Sequence, residues 1–192
     1  ERINAYGKTL GLDIEHYIIS SGYEEIIEGC SIRKFFKDIY GCAFAYNDEG
    51  LPVWPARVVN YSGKVQYLSK INKGLGKFED KAVNDYTPDD KSRIPFSRII
   101  YFGDGLTDIP SMRMVKDHNG TAIAVYKPRS HHKEKAVKLL KDNRVNFALA
   151  ADYREGKEID CVVKTILNKI ATDRDLEILR KREDRKKEGC GF

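Results

Sequence analysis

Short apolar runs closed by glycine or proline alternate along the chain with stretches of helical spacing. Residues 1–12 read as the end of a helix that closes at Gly11. His16–Ser20 (HYIIS) reads as a buried strand stopped by Ser21-Gly22. From Glu24 to Lys37 the apolar positions Ile26, Ile27, Ile32, Phe35 and Phe36 recur at helical spacing. Ala43–Tyr61 reads as extended chain, folded at the hairpin-type turn Asp48-Glu49-Gly50. Pro52 and Pro55 suit an edge strand or loop. A second glycine turn is expected at Ser62-Gly63. Lys73-Gly74 is expected to open a helix of about three turns with Leu75, Phe78, Ala82 and Val83 inward. A polar loop over 86–97 leads into the strand Ile99–Phe102.

The second half keeps the alternation. A short helix is expected over Ile109–Val115, a strand over Thr121–Val125 and a basic helix over His131–Lys141. A strand over Asn146–Ala151 and an amphipathic helix over Glu158–Ile170 follow. Strands alternating with helices predict an α/β fold: a parallel sheet with helices on both faces, plus a β-hairpin. From Asp173 onward the chain is almost wholly charged and reads as a solvated helix fraying into a tail. The expected organisation is therefore 1–12, a core over 13–172, and a charged segment over 173–192.

Composition narrows this picture modestly. A chain of 192 residues, 41% hydrophobic, can bury one good-sized core. A net charge of +5, much of it in the tail, points to neither nucleic acid nor a membrane surface. The basic stretch Arg180–Lys187 also carries Glu183 and Asp184, which favours a solvated helix end over a nucleic-acid contact. No apolar run approaches the roughly 18–20 residues that span a bilayer. Cys30, Cys42, Cys161 and Cys190 form no CxxC pair, and free thiols in a reducing, cytoplasmic setting are expected.

Candidate chemistry centres on Arg98–Asp108 (RIIYFGDGLTD). A strand ending in Gly103-Asp104-Gly105 puts Asp104 at its C-terminal tip, where ligands of parallel sheets bind. Asp108 opens the next helix. Two carboxylates brought together there repel unless a cation lies between them, and hard oxygen ligands suit Mg²⁺. The plainer reading is an ordinary turn with Asp108 as a helix cap. Ser20, beside the backbone N–H groups of Ser21 and Gly22, can hold a phosphate oxygen. Lys73 can neutralise phosphate as a point cation. Individually Ser20 reads as a strand-end hydroxyl and Lys73 as a surface lysine. Their occurrence together, each in a suitable element, favours a phosphate-plus-Mg²⁺ site.

IISSG, INKG, YFGDGLTD and YKPRSHHKEKA, in that order, resemble the haloacid dehalogenase superfamily of phosphohydrolases, in its phosphoserine-phosphatase-like branch. The resemblance spans about residues 12–150. It implies a three-layer, Rossmann-like core. It also implies that Ser20, with the backbone of Ser21 and Gly22, binds the transferring phosphoryl group, and that Lys73 steadies that group and the nucleophile. Asp104 would then coordinate Mg²⁺, and Asp108 would coordinate it or orient its waters. Thr107 departs from the Asn that relatives often carry before the last Asp. The family's nucleophile strand, with its Asp-x-Asp motif, has no counterpart before Ser20. Asp152 follows a strand but lacks the second Asp, and Asp173-Arg174-Asp175 has the spacing but follows a helix-like run and opens a charged segment.

The resemblance therefore implies an N-terminally incomplete copy, with residues 1–12 the remnant of a helical cap. The missing strand would lie mid-sheet, between the Ser20 and Asp104 strands. Losing apolar side chains worth roughly 1.5–3 kcal/mol each should leave the domain marginal. The expected function is Mg²⁺-dependent hydrolysis of a small phosphomonoester through an aspartyl phosphate, with no turnover from this chain alone. The alternative is a non-catalytic phosphate- or metal-binding module. A phosphorelay receiver would carry its acidic residues before the hydroxyl and its Lys last, an order this chain lacks. His131 and His132 read as a solvated helix face. Trp54 reads as a hairpin contact, and Tyr23 as either a pocket wall or a helix-start packing residue.

Overall fold

The computed structural model of the chain describes residues 1–79, 81–88, 91–128, 130 and 132–189, with side chains to Lys187. In order, its elements are α1 (Arg2–Thr9), β1 (Tyr17–Tyr23), α2 (Glu24–Glu28), β2 (Asp38–Tyr46), β3 (Pro52–Arg57) and α3 (Tyr61–Lys73). After them come β4 (Ile100–Gly103), α4 (Ile109–Asp117), β5 (Thr121–Tyr126), α5 (His132–Lys141), β6 (Phe147–Ala150) and α6 (Glu158–Gly189). They fall into two compact units, Glu1–Ile14 with the chain from Asp152 onward, and Glu15–Ala151. Among the described residues no helix is long and apolar enough to cross a membrane. His131 and Cys190 lie outside the described residues.

In the first unit α1 lies along α6. The Tyr6 hydroxyl meets Asn168 at 3.0 Å, and Arg174 donates to the carbonyls of Leu10 and Gly11 at 3.1 and 2.7 Å. Asp160 accepts from the Gly156 N–H and pairs with Lys164 and Arg2. These donors hold its carboxyl at about 2. The charged stretch after Asp173 continues α6 without a break, and pairs such as Lys169–Asp173 and Lys181–Glu177 support it. The residues from Asp152 to 172 group with α1 rather than with the strands.

The second unit is mixed α/β, and its strands form two sheets of three. β1 pairs parallel with β2, and β2 pairs antiparallel with β3 across the hairpin. β4, β5 and β6 form an all-parallel sheet. The strand runs expected from sequence are all present. β1 and β4, however, each end a sheet. Several of their apolar side chains are only partly covered: Ile18, Ile19 and Ile100 are half-buried and Phe102 is 38% exposed, whereas Tyr101 is buried. Ile19 packs against both core clusters, one containing Leu68 and Tyr101 and the other Tyr40 and Tyr67. Since α3 supplies both Leu68 and Tyr67, it holds the two sheets together.

Two helix expectations are corrected. The run from Glu24 to Lys37 is helical only to Glu28, with a separate 3-10 turn at Arg33–Phe35. Gly29, Cys30 and Ser31 are weak helix formers and break it. The helix expected after Lys73 lies before it. Asn60 caps α3 by accepting the Gly63 N–H at 3.0 Å, and Gly74, at φ +74°, closes it in the left-handed conformation. Phe78, expected inward, is exposed.

Glu15, just before β1, gathers Arg93, Lys37 and the Tyr17 hydroxyl. Arg93 foremost, and then Lys37 and Tyr17, hold the Glu15 carboxyl at about 2, below its usual 4.5. Burial foremost, and then Glu15, pushes the Tyr17 phenol up to about 12. A depressed carboxylate contributes stability above its unfolded pKa and loses it as pH falls through the folded one. Thermal unfolding from pH 6 to 2 should therefore show a loss of stability between about pH 4.5 and 2. Glu15→Gln should reduce that loss without abolishing it, since the Asp160 carboxyl is also held at about 2. Native-state hydrogen exchange should find β1 and β4 amides less protected than those of the central strands β2 and β5.

Candidate functional site

The acidic turn grows out of β4. After Gly103 the chain passes Asp104-Gly105, makes a 3-10 turn over Leu106–Asp108 and enters α4. Asp104 is exposed, whereas Asp108 is buried, at 5% exposure. Lys64 Nζ donates to Asp108 Oδ1 at 2.7 Å and the Tyr101 hydroxyl donates to the same oxygen at 2.9 Å. The Gly105 N–H donates to Oδ2 at 3.1 Å. A Cβ on Gly103 would lie 2.6 Å from Asp108 Cβ, so glycine lets this carboxylate fold back over the strand end. Burial foremost, and then the charge of Asp108, pushes the Tyr101 phenol well above its ordinary value and keeps it a donor.

Asp108 is thus an anchor of the acidic turn. Both its oxygens already accept protein donors, while Asp104 holds a carboxylate open to solvent at the strand tip. Among the described residues no three His, Cys, Asp or Glu side chains gather where they could share a cation. Mg²⁺ binds through one or two carboxylates and keeps several waters. The oxygen donors present fit such a loosely held ion, with Asp104 as its direct ligand and Asp108 limited to its remaining lone pairs. His132 is exposed on α5.

The structure does not bring Lys73 to this turn. Its Nζ donates to the carbonyl of Val83 at 2.6 Å and to that of Asp85. It closes α3, and Lys64 sits nine residues earlier, about 13–14 Å up the helix axis. The ammonium beside the acidic turn belongs to Lys64, which the sequence reading missed. Its signal was legible in Asn60, a good N-cap, followed by Tyr67, Leu68 and Ile71 at helical spacing.

Ser20 lies where β1 leaves its partner. The ladder with β2 runs to Ile19↔Tyr40 and resumes at Tyr23↔Cys42, so Ser20, Ser21 and Gly22 bulge out. The Gly22 N–H donates to Ser20 Oγ at 3.0 Å, so this donor is already engaged within the turn. Ser21 and Gly22 are exposed. The Cys42 thiol donates to the Ser21 carbonyl at 3.4 Å and pins the bulge. α3 packs against β1 and against the acidic turn, which makes it the element common to both. Beyond the bulge, Glu24 is shared by Arg57 and Lys77. Trp54 stands 70% exposed on the hairpin.

Removing one partner of a buried ion pair strands the other, a loss of roughly 3–5 kcal/mol. Lys64→Met or Asp108→Asn alone should each lower urea-measured stability by an amount of that order. Combining Lys64→Met with Asp108→Asn should cost clearly less than the sum of the two single substitutions. Simple additivity would remove the pair's role as an anchor.

No family model matches the chain. An uncharacterized protein of Borreliella burgdorferi is 27% identical to it over 165 residues, a match covering 76% of this chain and 55% of that protein. The chain thus spans about half the length of the curated relative it matches.

Proposed function

We propose that this chain forms the phosphate- and cation-binding part of a Mg²⁺-dependent phosphomonoester hydrolase of the haloacid dehalogenase type. A nucleophile-bearing strand outside these 192 residues would complete it and the Rossmann-like sheet. The observation that carries the reading is the break in the strand order. β1 and β4 each end a sheet, Ile19 on one and Phe102 on the other are only partly covered, and α3 packs against β1 and against the turn that follows β4. One more apolar strand laid between them would cover Ile19 and Phe102 and join the sheets. Its C-terminal tip would then come between Ser20 and Asp104.

In this reading the Ser20 hydroxyl and the exposed backbone of Ser21 hold the phosphoryl oxygens. Lys64, rather than Lys73, supplies the ammonium. Asp108 fixes it by accepting a hydrogen bond from its Nζ, and the Tyr101 hydroxyl donates to the same carboxylate oxygen. Asp104 holds Mg²⁺ on its open carboxylate. When bound, the ion neutralises charge on the phosphoryl group in transfer. The chain's own residues bind and orient, and the attacking carboxylate comes from elsewhere. The substrate is a small phosphorylated molecule, with neither nucleic acid nor membrane required.

Two measurements test this. Titration of the 192-residue chain with Mg²⁺ and inorganic phosphate, followed by NMR, should shift resonances at Ser20, Lys64 and Asp104. Asp104→Asn should abolish the Mg²⁺ response. Absence of both responses in the parent chain would end the proposal. In parallel, Mg²⁺-dependent hydrolysis of an aryl phosphate should be absent from the 192-residue chain and present in a longer product that includes the sequence upstream of Glu1. Substantial turnover by the short chain would remove the need for an outside nucleophile. Binding without turnover in the longer product would favour the non-catalytic module.

A further inference from the structure

The Ser20–Gly22 bulge leads directly into an aromatic stack that the proposed chemistry does not use. Tyr23, 48% exposed, lies on Phe44 with ring centroids 5.1 Å apart and planes 24° from parallel. The stack is held from both strands. Tyr23 pairs in register with Cys42, the residue whose thiol pins the Ser21 carbonyl. The Phe44 N–H donates to Glu25 Oε1 at 3.3 Å, and the Tyr46 hydroxyl donates to the same oxygen at 3.3 Å. One face of Tyr23 is therefore fixed on Phe44. Ser20 Oγ accepts the Gly22 N–H at 3.0 Å and Tyr23 is the next residue, so the hydroxyl lies against the backbone that carries the Tyr23 ring.

We infer that the Tyr23–Phe44 stack is the leaving-group subsite, and that the substrate class is a phosphomonoester of a planar, uncharged aromatic alcohol. The inference rests on Ser20 being the phosphate subsite of the proposed hydrolase. A preformed stack suits this role physically. Phe44 holds the Tyr23 ring in place before the ligand arrives, so little side-chain freedom is lost on stacking a third ring. The neighbouring charges select within the class. Glu24 is neutralised by Arg57 and Lys77, whereas Glu25 makes no ion pair among the described residues and accepts from neutral donors, its own backbone N–H, the Phe44 N–H and the Tyr46 hydroxyl. Its charge, which no ion pair neutralises, disfavours a leaving group with an acid of its own.

The test compares three probes on the 192-residue chain in Mg²⁺: inorganic phosphate, glycerol phosphate and phenyl phosphate, with affinities from NMR titration. Phenyl phosphate should bind about tenfold more tightly than glycerol phosphate, the scale of one ring-stacking contact. Tyr23→Ala should erase that difference and leave inorganic phosphate unchanged, and Tyr23→Phe should preserve it. A carboxylate on the phenyl ring should weaken binding, and Glu25→Gln should restore it. Equal binding of phenyl and glycerol phosphates by the parent chain, or an advantage that survives Tyr23→Ala, would overturn the inference while leaving the phosphate site standing. Failure of all three probes to bind would overturn the phosphate site and this subsite with it.

Discussion

The contact between Lys64 and Asp108 ties together parts of the unit that are far apart in sequence. It joins the start of α3 to the turn after β4, and α3 also carries the residues that pack on β1. Burying an ammonium and a carboxylate is costly unless each is well satisfied. Here the carboxylate takes three donors, from Lys64, Tyr101 and the Gly105 backbone. The acidic turn therefore has one conformation, and Asp104 is presented outward at a fixed place.

The two sheets follow from the same constraint. A parallel strand ordinarily has a neighbour on each side, which is why such strands read as continuous apolar runs. β1 and β4 have that composition and only one neighbour apiece. Exposed strand edges are sites of further pairing. α3 and its ion pair hold the two edges in one unit without letting them pair with each other. A scaffold that keeps two apolar edges apart is what a third strand between them would require.

The legibility of the chain divides along physical lines. Strands were readable because a run such as Ile99–Phe102 carries its burial in contiguous residues. The turn after it was readable because Gly103, Asp104 and Asp108 act through local backbone geometry. The helix around Lys64 was misread because Gly63 looked like a turn, although it sits in the first turn of α3 beneath the Asn60 cap. The phase error then moved the expected ammonium to Lys73, at the wrong end of the same helix. Neither the thiol bond that pins the Ser20 bulge nor the buried state of Asp108 leaves any trace in local sequence, because both depend on residues brought in from distant segments.

The two lysines of α3 are held by different interactions at opposite ends of the helix. At the C-terminal end of a helix, free carbonyls and the negative end of the macrodipole welcome a cation. Lys73 sits there and takes carbonyl partners, and Lys70 nearby donates to the Lys77 carbonyl. Lys64 stands near the N-terminal end of α3, where the dipole opposes a cation, and it is buried there as well. Helix stability alone would favour an acidic or neutral side chain at that position. A lysine can be held there against both the dipole and desolvation because Asp108, whose oxygens also accept from the Tyr101 hydroxyl and the Gly105 N–H, pairs with it at 2.7 Å.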